Sequence, residues 1–116
     1  MRGSVLVIAA AVLLTVASAM FAQTDVVVIG QWEDKVGTSW TQHIRIVRKG
    51  TTIIRESKFD DGSVNHATLT EVAPGPNERR RFKNPRSNFG QAYAIDSRGN
   101  LDIFDNEGFV REARRM

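Results

Sequence analysis

The run Gln91-Ala92-Tyr93-Ala94-Ile95-Asp96-Ser97-Arg98-Gly99-Asn100-Leu101-Asp102-Ile103-Phe104-Asp105-Asn106-Glu107-Gly108-Phe109-Val110 contains Asp-x-x-Gly twice, nine residues apart. Each copy falls between short segments rich in β-branched and aromatic residues. Asp at the first position of a type I turn can accept a hydrogen bond from the backbone two residues on, and Gly at the fourth takes a positive φ and closes the turn with a bulge. Asp96–Gly99 and Asp105–Gly108 therefore read as consecutive hairpin turns, and the segments around them as a three-stranded meander.

The same rhythm extends back through the chain. Glycines stand at 30, 37, 50, 62, 75, 90, 99 and 108, and from Gly50 on their spacing of nine to fifteen residues suits strands joined by turns. Strands are expected over 25–36, 40–47, 51–59, 63–72 and 78–83, with three more between Gln91 and Ala113. In the second, Trp40, Gln42, Ile44 and Ile46 share one face, as a half-buried strand requires. The apolar run Val26-Val27-Val28-Ile29 occupies both faces of its strand, so it is expected to be fully buried or to plug the structure. Ala73–Asn77, with two prolines, is a loop, and Asn84–Gly90 is a second loop and the expected mobile rim. A short C-terminal turn from Glu112 is the single place for helix. The fold expected is all-β: a small up-and-down antiparallel barrel, or a strongly curled meander sheet, of about eight short strands. Closure has a physical motive, because an open sheet leaves two edges able to pair with other chains.

Ahead of this domain stands a leader. Arg2 precedes an uncharged apolar run from Val5 to Val16, and Ala17-Ser18-Ala19 supplies the small residues of a cleavage site. Cleavage is expected after Ala19, with Ala22 as the alternative. An uncleaved leader would be the chain's one contact with a membrane. Removal leaves about 95 residues, room for a single domain over 25–113. The chain has no cysteine, so core packing and a closed hydrogen-bond ladder must do what disulfides do in many small exported domains. These features suit a periplasmic or secreted bacterial protein. The formal charge of +3, or +2 without Arg2, is a small basic excess. It is concentrated at Arg79-Arg80-Arg81-Phe82-Lys83 and in the tail.

Gly30-Gln31-Trp32 on the first strand of a meander resembles the Gly-x-Trp signature of lipocalins and their calycin relatives. That resemblance implies a barrel with Trp32 closing one end and a basic side chain near the last strand, Arg111 or Arg114, packed over it by cation–π contact. In its other features the chain resembles small exported bacterial β-proteins of uncharacterised families.

Candidate chemistry is sparse. His43 and His66 fall on different strands without a third ligand at metal-site spacing, so no metal is expected. Asp60, Asp96 and Asp105 are explained by turn formation. No serine has a nucleophile-elbow context, and no glycine-rich phosphate loop is present, so neither an enzyme nor a cofactor is expected. The basic run is the most function-like feature. If Phe82 points inward Arg80 does too, and it then needs a carboxylate partner or a ligand. The run could equally be a charged edge that discourages strand addition. Export argues against nucleic acid. The expectation is a non-enzymatic binding protein of lipocalin-like type, its partner an envelope protein, an anionic envelope polymer or a small ligand. Trp32, Tyr93, Arg79, Arg80, Arg81 and Arg86 are the candidate binding residues. The alternative is an inhibitor or immunity protein of a periplasmic cell-wall hydrolase, acting through Ala73–Asn77 or Asn84–Gly90.

Overall fold

A computed structural model describes residues 25–116. The expected leader and its cleavage site lie outside them. Eight antiparallel strands follow in order: β1 (Val26–Val36), β2 (Trp40–Lys49), β3 (Thr52–Phe59), β4 (Val64–Val72), β5 (Glu78–Lys83), β6 (Ala92–Asp96), β7 (Leu101–Asp105) and β8 (Gly108–Arg115). Each pairs with its sequence neighbour, and β1 pairs with β8 to close a barrel. The expected helical turn from Glu112 is instead the end of β8. Its pairing with β7 at Glu112 and Ala113 and with β1 at Arg114 and Arg115 keeps the backbone extended.

The turns form by the chemistry of their residues. Asp96 Oδ1 accepts from the backbone N–H of Arg98 and Asn100, each at 2.9 Å, and Gly99 follows at φ 87°. Asp105 Oδ1 accepts from Glu107 N at 2.8 Å, before Gly108 at φ 111°. Asp60 works differently from expectation: its carboxylate reaches across to Thr41 N at 2.8 Å and ties the β3–β4 hairpin to the start of β2.

Inward faces build one core from Trp32, Ile44, Ile46, Leu69, Phe82, Tyr93, Ile95, Leu101, Ile103 and Ala113. Trp32 closes the end of the barrel that carries the β6–β7 turn. Its indole N–H donates to Gly99 O at 2.8 Å, which satisfies the one polar atom of a side chain 1% exposed. A Cβ on Gly30 would lie 2.5 Å from the Trp32 ring. The glycine two residues before the tryptophan is thus a steric requirement: the ring lies flat against a backbone without a side chain.

Two departures concern β1. Val26, Val27 and Val28 are half-exposed rather than buried. β8 pairs with β1 at Trp32 and Glu33 alone, so the first residues of β1 pair with β2 and, among the described residues, with no strand on the other side. The basic residue opposite Trp32 in the ladder is Arg115, not Arg111 or Arg114. Arg111 instead places its guanidinium on Asp34, Nε to Oδ1 and Nη2 to Oδ2, both 2.7 Å. Asp34 is wholly buried and accepts a further bond from Gln42 Nε2 at 2.5 Å. This pair carries closure between β1 and β8 past the point where their backbone pairing stops.

Candidate functional site

Opposite the Trp32 end, the barrel opens. β4 pairs with β5 at Thr70–Val72 alone, so its first half stands apart from the chain that follows β5. The gap is the mouth of a cavity of about 630 Å³, open to solvent. Its walls come from β2 (Trp40, Gln42), β3 (Arg55, Ser57, Phe59), β4 (Asn65 to Thr68), the β5–β6 loop (Asn84, Arg86, Gln91) and β6 (Tyr93).

Strand alternation puts these side chains there. Ile53, Arg55, Ser57 and Phe59 share the inward parity of β3, and register with β2 sets Phe59 opposite Gln42 and Ser57 opposite Ile44. Trp40 and Phe59 meet at the rim with ring centroids 5.6 Å apart and planes tilted by 56°. Trp40 is 38% exposed, so part of its ring faces the opening.

Arg55 forms the floor and is 7% exposed. Its Nη1 donates to Tyr93 Oη at 2.8 Å and to Gln91 Oε1 at 3.0 Å, and its Nη2 donates to Asn65 Oδ1. Its Nε–H is buried without an acceptor among the described residues. All three partners are neutral. Burial raises the Tyr93 pKa above the ordinary phenol value, so its hydroxyl keeps its proton and brings no negative charge. Among the described residues no carboxylate lies within 4 Å of this guanidinium.

The β5–β6 loop, expected to be a mobile rim, is held at many points. Ser87 Oγ accepts from the N–H of Phe89 and Gln91, Asn84 N donates to Gln91 O, and Asn106 N reaches Phe89 O at 2.7 Å. Gly90 takes φ 67°, and the Asn106 side chain fills the space where its Cβ would stand. The loop is thereby fastened to the β7–β8 tip. It still leaves Phe89 76% exposed.

Of the six residues singled out from sequence, the structure brings Tyr93 and Arg86 to the cavity, Tyr93 at its floor and Arg86 at its rim. Trp32 lies in the core at the closed end. The basic run is distributed among separate partners. Arg79 occupies a bulge in β5 and donates to Ser97 O at 2.5 Å. Arg80 points inward with Phe82 and meets Glu71 through two bonds, 2.9 and 2.8 Å, which raise its pKa and lower that of Glu71. Arg81 points outward, 2.7 Å from Glu78 and 4.4 Å above the Phe104 ring. Two of the three guanidiniums are therefore neutralised within the chain.

His43 lies on the outer surface, 3.6 Å from Glu33; His66, on the β4 edge of the cavity, stands 3.7 Å from Glu56. Asp96, Asp102 and Glu112 converge on the outer face of β6–β8. Arg98 covers that cluster, 3.6 Å from Asp96 and 3.2 Å from Glu112. Burial and the neighbouring acids raise the Asp102 pKa.

Arg55, Trp40, Phe59 and Gln91 were not singled out from sequence. The signal was present in β3: one arginine on the same parity as Ile53 and Phe59. Its meaning depends on whether a carboxylate stands opposite, and only the folded barrel determines that. No protein-family model, curated protein or solved structure matches the chain.

Proposed function

We propose that the protein is a non-enzymatic, exported binding protein of lipocalin-like type that takes a small ligand into the open end of its barrel. The observation that carries this reading is the mouth cavity. It is concave, within the size range of small-molecule sites, and lined by an aromatic pair above converging amide, hydroxyl and guanidinium groups. The basic strand supports a partner surface less well, because Glu71 and Glu78 occupy two of its arginines.

The test is mass spectrometry of small molecules carried by the protein after incubation with an envelope extract. The control is Ala67→Phe, which fills the cavity from the β4 wall. The wild type should retain a small molecule that the variant loses. Equal retention by both, or retention by neither, would reject the cavity as the binding site.

One observation favours a second reading, an inhibitor or immunity protein of a cell-wall hydrolase. Phe89 projects from a loop that hydrogen bonds hold in place, as an inserted loop requires for preorganised docking. Inhibition of a purified hydrolase by the protein, abolished by Phe89→Ser, would support it. No inhibition across the hydrolases of one envelope would dismiss it.

A further inference from the structure

The inward-facing arginines of this barrel are not treated alike. Arg111 meets Asp34 and Arg80 meets Glu71, each through two hydrogen bonds. Arg55 is more deeply buried than either and meets only neutral oxygens. A buried ion without a counter-charge is costly, and it favours whatever anion can reach it. Asn65, Gln91 and Tyr93 fix the guanidinium in place at the floor of an open cavity without cancelling its charge.

We propose that the mouth of the barrel is a site for a planar aromatic monocarboxylate, with the carboxylate at Arg55 and the ring against Trp40 and Phe59. The inference rests on the small-ligand reading above and adds the chemistry of the ligand. One uncompensated charge calls for one negative charge. A carboxylate suits the flat guanidinium edge, whereas a dianionic phosphate would leave a surplus charge at a half-closed site. The tilted pair offers apolar ring surface in the same cavity as Arg55. Arg86 at the rim adds attraction for an incoming anion without being enclosed with it.

The experiment is titration calorimetry of the protein with 2-naphthoate, with its neutral counterpart 2-naphthamide, and with inorganic phosphate as competitor. The expected result is binding of naphthoate at least about tenfold tighter than naphthamide, the equivalent of about 1.4 kcal/mol, with no displacement by equimolar phosphate. Arg55→Gln should reduce the naphthoate affinity to that of naphthamide while leaving naphthamide binding in place, and Arg55→Lys should keep part of the preference. Equal binding of both probes by the wild type would overturn the carboxylate assignment and leave the small-ligand reading standing. Displacement by phosphate would overturn the choice of carboxylate. Failure of every aromatic probe would count against the assignment, and the ligand-retention comparison with Ala67→Phe would then decide separately whether the cavity binds anything.

Discussion

The two ends of the barrel solve the same problem in opposite ways. At the closed end polar groups find complements: the Trp32 N–H meets Gly99 O, and Arg80 meets Glu71. At the open end Arg55 is held by neutral oxygens, its Nε–H has no acceptor among the described residues, and an aromatic ring faces water. The closed end is built for cohesion. The open end keeps an unmatched charge and unburied apolar surface, which cost stability and are the features a binding site needs.

This contrast predicts unequal responses to substitution. Trp32→Ala should cost about 4 kcal/mol, since a large, fully enclosed side chain leaves a cavity that its neighbours cannot fill; a denaturant titration with a change smaller than about 1 kcal/mol would refute its role as the closing plug. Asp34→Ala should cost about 3 kcal/mol by stranding Arg111 at the β1–β8 seam. Hydrogen exchange should then rise in β1 and β8 before the other strands. Gly30→Ala should cost about 2 kcal/mol, because the added methyl meets the Trp32 ring at 2.5 Å. A Gly30→Ala protein as stable as the wild type would mean that the ring has room to shift.

Arg55→Met at the open end should change stability by less than about 1 kcal/mol in either direction, because removal of an uncompensated charge offsets the lost hydrogen bonds. A loss comparable with that of Trp32→Ala would place Arg55 among the structural residues and erase the distinction between the ends.

The smallest effects concern pH. Arg45 and Arg80 lower the folded pKa values of Glu56 and Glu71 below the unfolded value near 4.5. Their stabilisation is therefore present above that value and declines as pH falls through the folded ones. Because both carboxylates are partly exposed, the share of each should be below about 1 kcal/mol and should weaken with salt. Asp102 has the opposite sign. Its folded pKa is raised, so it weakens the fold as pH rises from its unfolded value through the folded one. Asp102→Asn should raise the melting temperature by about 2 °C at pH 7 and leave it unchanged at pH 2.

Much of the architecture was legible because turn chemistry is local. Asp96 and Gly99 carry their turn in their own side chain and backbone, and alternation along 40–46 assigned Trp40, Gln42, Ile44 and Ile46 to one face without knowledge of a partner strand. Errors arose where a neighbour decides. Val26–Val28 look like core in the sequence, but β8 does not reach them. The segment from Glu112 was open to a helical turn until pairing on both sides fixed it as strand. In the basic run, strand alternation separates Arg80 from Arg81 and gives Arg80 the need for a partner; that the partner is Glu71, and that a bulge turns Arg79 to Ser97 O, depends on neighbouring strands.

The amino-acid sequence alone determined an all-β meander of eight strands and the places where it turns, since each follows from the backbone preferences of a few adjacent residues; that position 30 must be glycine follows only from where the folded Trp32 ring lies. The tertiary structure alone decided that the barrel closes through Asp34 and Arg111, that Glu71 neutralises Arg80, and that Arg55 has no counter-charge. Electrostatic compensation depends on separations of a few ångströms between groups dozens of residues apart, and those separations do not exist until the strands are in register.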